Sequence, residues 1–339
     1  MRNDVLGGTM EKPYLLFLGD ARDDLAAKSA RGVLDWRPDA GIGQLRLDGC
    51  KTSLGLPDMT VEAAAQAGAK TMVVGVANAG GFIPDNWTET IIGALAAGMD
   101  VASGMHTRLA DIEPIRDAAR RHGRELFDVR HPSRAFAVGS GAKRPGKRLL
   151  TVGTDCSCGK MYTSLALERE MRQRGLDADF RATGQSGIFI AGDGVAVDAV
   201  VADFISGATE WLSPAGDPDH WDLIEGQGSL FHPSFAGVSM GLLHGAQPDA
   251  LVLCHEPTRT HMRGLPDREL PGFEACIEAN LAAARLTNPA VRFVGVAMDT
   301  SRLDDAARER VLGETEDRLG LPCVDSVATG VARIVDTLA

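Results

Sequence analysis

The chain has 339 residues, 44% of them apolar, 24% charged and 5% aromatic, with a net charge of −11. That apolar share is globular rather than disordered, and the length suits two domains better than one core. No block of Lys and Arg offsets the acidic balance, which argues against nucleic acid as a partner, and no segment reaches the about 20 apolar residues of a membrane span.

Strand and helix signals alternate from the N-terminal side. An apolar run over 14–18 predicts a strand that exits at Gly19-Asp20. Residues 23–36 carry apolar positions at helical spacing, with Asp23 or Asp24 placed to cap. A weak strand over 44–47 and an Ala-rich helix over 60–67 follow. Next come an apolar strand over 70–76, a turn at Asn78-Ala79-Gly80-Gly81, a helix over 87–97, a strand over 100–103, a helix over 111–122 and a strand over 125–129. Five strands with four crossover helices imply a parallel sheet covered on both faces. The segment 131–148 is rich in Gly, Pro, Ser and basic residues and is the best linker candidate. Domains of 1–139 and 140–339 are expected.

The second half restarts with a strand over 149–152, a Gly-rich turn and a helix over 160–174. Further strands are expected at 179–182, 223–225, 250–254, 292–297 and 323–324. Helices are expected near 197–212, 234–244, 273–286, 304–319 and 330–338. The fold class is α/β throughout. The six cysteines form no CxxC pair and read as free thiols of a reducing compartment. With no signal-peptide pattern at the start, a cytoplasmic protein is expected.

The turn reads Gly153-Thr154-Asp155-Cys156-Ser157-Cys158-Gly159-Lys160-Met161. It approximates the phosphate-cradling P-loop, G-x-x-x-x-G-K-[ST], between the strand and helix that motif requires. Unpaired N–H groups and the dipole at the helix start favour an anion, and Lys160 adds a full charge. Met161 stands where nucleotide hydrolases and kinases carry the hydroxyl that coordinates Mg²⁺. A thioether is a poor ligand for a hard cation, and no metal site is expected. The loop therefore looks built to hold phosphates without activating a terminal one, which suits coenzyme A. ATP stays open if another residue, Asp155 for instance, holds the metal; that acid could equally cap the loop.

Other polar residues lie at strand exits, where ligands of α/β sheets bind. Glu225 ends a strand before Gly226-Gln227-Gly228 and could be a metal or water ligand, a general base or a structural acid. His255 ends another, with Arg259 and Arg263 close behind, and could take a proton from an amine or hydroxyl nucleophile. Gln185 and Ser186 follow Thr183-Gly184 and could donate to a ligand or a developing oxyanion. In the first half, Asn78, Ser103 and His106 sit at strand exits, His106 being a second candidate base. Lys28 and Arg31, one helical turn apart, could hold a carboxylate or simply form a solvated face. No GxGxxG occurs, so a dinucleotide site of the usual kind is not supported.

With these residues together, the chain resembles the D-glutamate N-acetyltransferase (DgcN-type) family of P-loop proteins, long filed as a domain of unknown function. The matching pieces are Gly-Asp-Ala-Arg at 19–22, Asn-Ala-Gly-Gly at 78–81, Ser-Gly-Met-His at 103–106, the loop at 153–161, Glu-Gly-Gln-Gly at 225–228 and Cys-His-Glu-Pro-Thr-Arg at 254–259. They span nearly the whole chain. The loop alone is also similar to that of dethiobiotin synthetase, which carries Thr where this chain has Met161. The resemblance implies acetyl transfer from acetyl-CoA to the amine of D-glutamate in a dimeric enzyme, a Rossmann-like parallel-sheet domain followed by a dethiobiotin synthetase-like P-loop domain.

The leading expectation is thus an acetyl-CoA-dependent N-acetyltransferase acting on an acidic amino acid. Residues 153–161 would hold the donor. Arg259, Lys28, Arg31, Asn78, Ser103, His106 and Gln185 would hold the acceptor. His255 or Glu225 would act as base, and Lys160 or glycine-turn amides would face the oxyanion. The alternatives are a Mg-ATP-dependent ligase or kinase of dethiobiotin synthetase type and a nucleotide-responsive regulatory protein.

Overall fold

Two segments, Tyr14–Gly19 and Lys147–Gly153, are buried almost throughout and place one parallel strand inside each of two sheets. In the computed structural model the described residues are 6, 8–24, 26–77 and 80–338. They pack as two compact units, Met1–Ala135 with Gly184–Ala199, and Phe136–Thr183 with Val200–Ala339.

The first unit holds β1 (Tyr14–Gly19), α1 (Lys28–Trp36), β2 (Gly41–Arg46), α2 (Val61–Gln66), β3 (Thr71–Val74), α3 (Asp85–Ala96), β4 (Asp100–Ser103), α4 (Glu113–His122) and β5 (Leu126–Asp128). Its five strands are all parallel in the order β2-β1-β3-β4-β5. Local chemistry sets the helix ends. Thr60 accepts the Ala63 amide at the start of α2, and Gly123, at φ 61°, closes α4 behind Arg120, Arg121 and His122. Gly19 turns the chain out of β1 at φ 51°, where a Cβ would run into the Trp87 ring at 2.5 Å.

The second unit holds β6 (Lys147–Gly153), α5 (Lys160–Gln173) and β7 (Ala178–Arg181). After α6 (Gln185–Ala191), which belongs to the first unit, it continues with α7 (Ile205–Leu212), β8 (Trp221–Ile224), α8 (Ala236–Ala246), β9 (Ala250–His255), β10 (His261–Met262), β11 (Leu265–Glu269), α9 (Phe273–Ala284), β12 (Arg292–Met298), α10 (Asp305–Leu319), β13 (Cys323–Val324) and α11 (Ala332–Val335). Six parallel strands run in the order β13-β12-β9-β6-β8-β7, and β10 with β11 forms a separate antiparallel hairpin.

Three local readings change. The first helix begins at Lys28 rather than near Asp23; Asp23 instead accepts the Ala26 amide in the turn before it. The segment 183–187, read as a polar strand exit, runs into the helix Gln185–Ala191, whose Gly187, Ile188, Phe189 and Ile190 are buried in the first unit. Seven residues between glycines are too few to display a helical period. The expected linker also packs along part of its length. Ser140 and Gly141 amides bond Glu210 at 2.9–3.0 Å, and Arg144 donates to the carbonyls of Ser213 and Gly245 at 2.9 and 2.8 Å.

Candidate functional site

The exit of β6 is the loop picked out in the sequence, and it leads into α5 at Lys160. Gly153 is required there. A Cβ would lie 2.7 Å from Cys158 Sγ, 2.8 Å from the Asp155 carbonyl and 2.9 Å from Lys160 Nζ. Gly226 closes the other side, where a Cβ would meet the Thr151 carbonyl at 1.7 Å and Lys160 Cδ at 2.9 Å. Gly159 takes φ 91° as the residue before α5, and Ser157 at the apex takes φ 50°. Lys160 is buried; its Nζ donates to the Asp155 carbonyl at 2.7 Å. The first-turn amides of α5 have no intrahelical partner, so the cradle fits a phosphate.

Asp155 braces this loop. Its Oδ1 accepts the Cys156 amide at 2.7 Å, and its Oδ2 accepts Arg259 Nη1 at 2.6 Å and the Arg263 amide at 2.8 Å. Burial opposes ionisation, but the Arg259 guanidinium and the two amides hold the carboxyl below its ordinary value. Arg259 also donates to the carbonyls of Cys156 and Ser157, at 2.6 and 2.9 Å. The arginine expected to grip a substrate carboxylate is thus committed to the loop. Asp155, Cys156 and His232 approach one another closely enough to suggest a metal cluster. Two of the three donors are otherwise engaged, His232 Nδ1 accepting the Ser234 amide with its Nε2 facing the Arg263 carbonyl and Asp155 bonding as above, and burial holds the Cys156 thiol protonated. Thr163, the nearest helix hydroxyl, bonds the Gly159 carbonyl at 3.0 Å. These residues do not fit a resident divalent ion.

His255 ends β9 with Nδ1 2.9 Å from Thr154 Oγ1 and its ring edge-on to Phe273. Burial pushes it down to about 4, with Arg259 adding to the effect and Glu256 opposing it. It is a neutral imidazole at pH 7. Glu225 is buried beyond β8, where Oε2 accepts the Thr183 amide at 2.9 Å and its carbonyl accepts Thr183 Oγ1 at 2.6 Å. That is the geometry of an acid joining two strand exits. Burial raises Cys156 to about 11 and Cys254 to about 12, so both are thiols at pH 7, unlike a primed nucleophile.

The remaining expected residues lie in the first unit. Asn78 falls outside the described residues. Lys28 is exposed at the start of α1, and Arg31 donates to the carbonyls of Ser53 and Leu54 at 2.8 and 3.3 Å. Ser103 is buried, its Oγ accepting the Met105 amide at 3.2 Å. His106 and Gln185 do converge, through a residue the sequence reading passed over. Arg130, just beyond β5, donates from Nη1 to Gln185 Oε1 at 3.1 Å and pairs with Asp198 through Nη2. Its Nε is buried and bonds nothing among the described residues. His131 Nε2 lies 2.9 Å from the His106 carbonyl. Partial burial, then Arg130 and His131, lower the His106 imidazole, against the pull of Asp198. Ser186 shares a hydrogen bond of 2.7 Å with Ser29 of α1. The signal for Arg130 was its place after an apolar strand, masked by the basic, Pro-rich stretch that follows.

A Rossmann-like parallel-sheet unit joined to a P-loop α/β unit defines a two-domain P-loop protein. The profile described as "Domain of unknown function (DUF1611_C) P-loop domain" matches residues 135–335, and that described as "Domain of unknown function (DUF1611_N) Rossmann-like domain" matches 45–132. The chain belongs to the DUF1611 family. A D-glutamate N-acetyltransferase from Tritonibacter scottomollicae is 54% identical across 97% of this chain and 99% of its own length; one from a Pseudoalteromonas species is 52% identical across 97% and 99%. The crystal structure of a DUF1611 family protein from Anabaena variabilis superposes with a TM-score of 0.87 at 33% identity, over 96% of this chain and 99% of that one. The chain is an N-acetyltransferase of this family. No described helix is long and apolar enough to cross a membrane.

Proposed function

We propose that the protein transfers an acetyl group from acetyl-CoA to the amino group of D-glutamate. The observation that carries the donor is the loop itself: a phosphate cradle whose acid is tied to Arg259 and whose helix opens on Lys160-Met161. It can bind a pyrophosphate by amides, dipole and Lys160, while Asp155 is tied up within the loop and Met161 stands where a Mg²⁺-binding hydroxyl would be. The acceptor reading rests on the two relatives of over 50% identity that carry that name.

The chemistry asked of the chain is modest. A base takes one proton from the substrate ammonium, the freed amine attacks the thioester carbonyl, and the C–S bond breaks to release the thiol and the amide. His255, His106 and Glu225 are the candidate bases, and Lys160 or loop amides the candidate oxyanion donors. Arg130 is the candidate for an acceptor carboxylate, with His106 and Gln185 beside it. A cytoplasmic homodimer in D-amino acid catabolism is the accompanying proposal.

The test incubates the protein with acetyl-CoA and either D- or L-glutamate and follows free thiol. Thiol release that depends on D-glutamate is expected. ADP release from Mg-ATP, with acetyl-CoA inert, would overturn the reading.

A further inference from the structure

The hairpin β10–β11 brings Arg263 back over the loop, and the two arginines there are not equivalent. Arg259 is neutralised, by Asp155 at 2.6 Å and by Glu256 at 3.4 Å. Arg263 is fixed through its main chain, whose amide donates to Asp155. Its exposed guanidinium reaches only the hydroxyl of Ser157, through Nη1, and forms no ion pair among the described residues. Lys160 lies buried beneath the loop, on the Asp155 carbonyl. The loop therefore presents two cations in different places: one inside the cradle, the other on its outer rim with its charge uncompensated.

We propose that Arg263 is the specificity residue for the 3′-phosphate of coenzyme A; this rests on the reading that the loop binds acetyl-CoA. A pyrophosphate seated against the loop amides and Lys160 leaves the ribose 3′-phosphate outside the cradle. Arg263 is a cation at that rim without an ion pair among the described residues, and its planar fork matches a phosphate with two parallel N–H···O bonds. Ser157 Oγ holds the guanidinium there, and exchanging a neutral hydroxyl for a phosphate dianion is favourable. Arg259, whose charge is satisfied, keeps the loop in shape.

The experiment measures the Kd of CoA and of 3′-dephospho-CoA by titration calorimetry for the full chain and for Arg263→Ala, Arg263→Lys and Lys160→Ala, with circular dichroism melts to confirm folding. The parent chain is expected to prefer CoA by about 10–100-fold, the range for a hydrogen-bonded charge pair. Arg263→Ala should bring that preference within about 2-fold while dephospho-CoA binds as before, and Arg263→Lys should keep part of it. Lys160→Ala should weaken both ligands alike. An Arg263→Ala variant that keeps the full preference, or a parent chain with none, overturns the inference and leaves the acetyl-CoA reading standing. A parent chain that binds neither ligand overturns the acetyl-CoA reading itself.

Discussion

Arg259 reaches back 104 positions in sequence to place Nη1 2.6 Å from Asp155 Oδ2, inside the loop that cradles phosphate. The Asp155 side chain is 1% exposed and that of Arg259 17%, so the pair is largely withdrawn from water. Such a pair is weak evidence of net stability, yet removing one partner strands a buried charge. Arg259→Ala should therefore disorder the loop and weaken acetyl-CoA binding about 10–100-fold, a loss of hydrogen bonds to a charged group. Arg259→Lys should recover little, because one ammonium cannot serve Asp155 and the carbonyls of Cys156 and Ser157 together. Steady-state KM for acetyl-CoA checks both; an unchanged value for Arg259→Ala would show that the brace is dispensable.

The same commitment of Asp155 sets the expectation for metals. Activity should be unaffected by EDTA and by added Mg²⁺. Met161→Thr restores the usual hydroxyl but leaves Asp155 bonded to Arg259, Arg263 and Cys156, so it should not confer Mg-ATP hydrolysis. ADP release by that variant, or loss of thiol release in EDTA, would contradict the donor-set argument.

How much of this was legible in the sequence follows from what period and spacing can encode. Strands such as β4 and β9 announced themselves as short apolar runs closed by polar turns, and Gly159-Lys160 between an apolar strand and a helix marked the loop, although Thr154 stands where the motif places its first glycine. Tertiary partnerships carry no such mark. Nothing near Arg259 says that its guanidinium serves a loop about a hundred residues earlier rather than a ligand, and nothing near Gln185 says that its helix packs with the first unit. The hairpin β10–β11 escaped because β10 has only two residues and β11, Leu-Pro-Asp-Arg-Glu, carries no apolar alternation to read. Asp23 was misplaced as the helix cap because its bond to the amide three residues on is the bond an N-cap makes, here in a turn that ends before α1.

His255 gives a pH expectation with a definite sign. Its folded value near 4 lies below the ordinary 6.5, so the unfolded chain binds the proton more tightly. The resulting stability is fully present above about pH 6.5 and is lost as pH falls through about 4. Melting temperature should drop across that window, and less steeply in His255→Asn, which cannot take up the proton. If His255 is also the base, the acid limb of kcat/KM should fall near pH 4 rather than near 6.5. A limb near neutrality that survives His255→Asn would assign the base elsewhere.

Arg130 is the remaining test of where the acceptor binds. Its Nη1 and Nη2 serve Gln185 and Asp198 while Nε stays buried and bonds nothing among the described residues, an unusual state for a guanidinium beside a sheet's carboxyl edge. A substrate carboxylate can use that edge and displace the exposed Asp198. Arg130→Ala should raise KM for D-glutamate about 10–100-fold and leave KM for acetyl-CoA within about 2-fold. Arg130→Lys keeps the charge but loses the fork and should fall between. Initial rates with each substrate varied in turn separate the cases. Equal shifts in both KM values would mean a general loss of structure, and no shift in the D-glutamate value would remove Arg130 from the acceptor site.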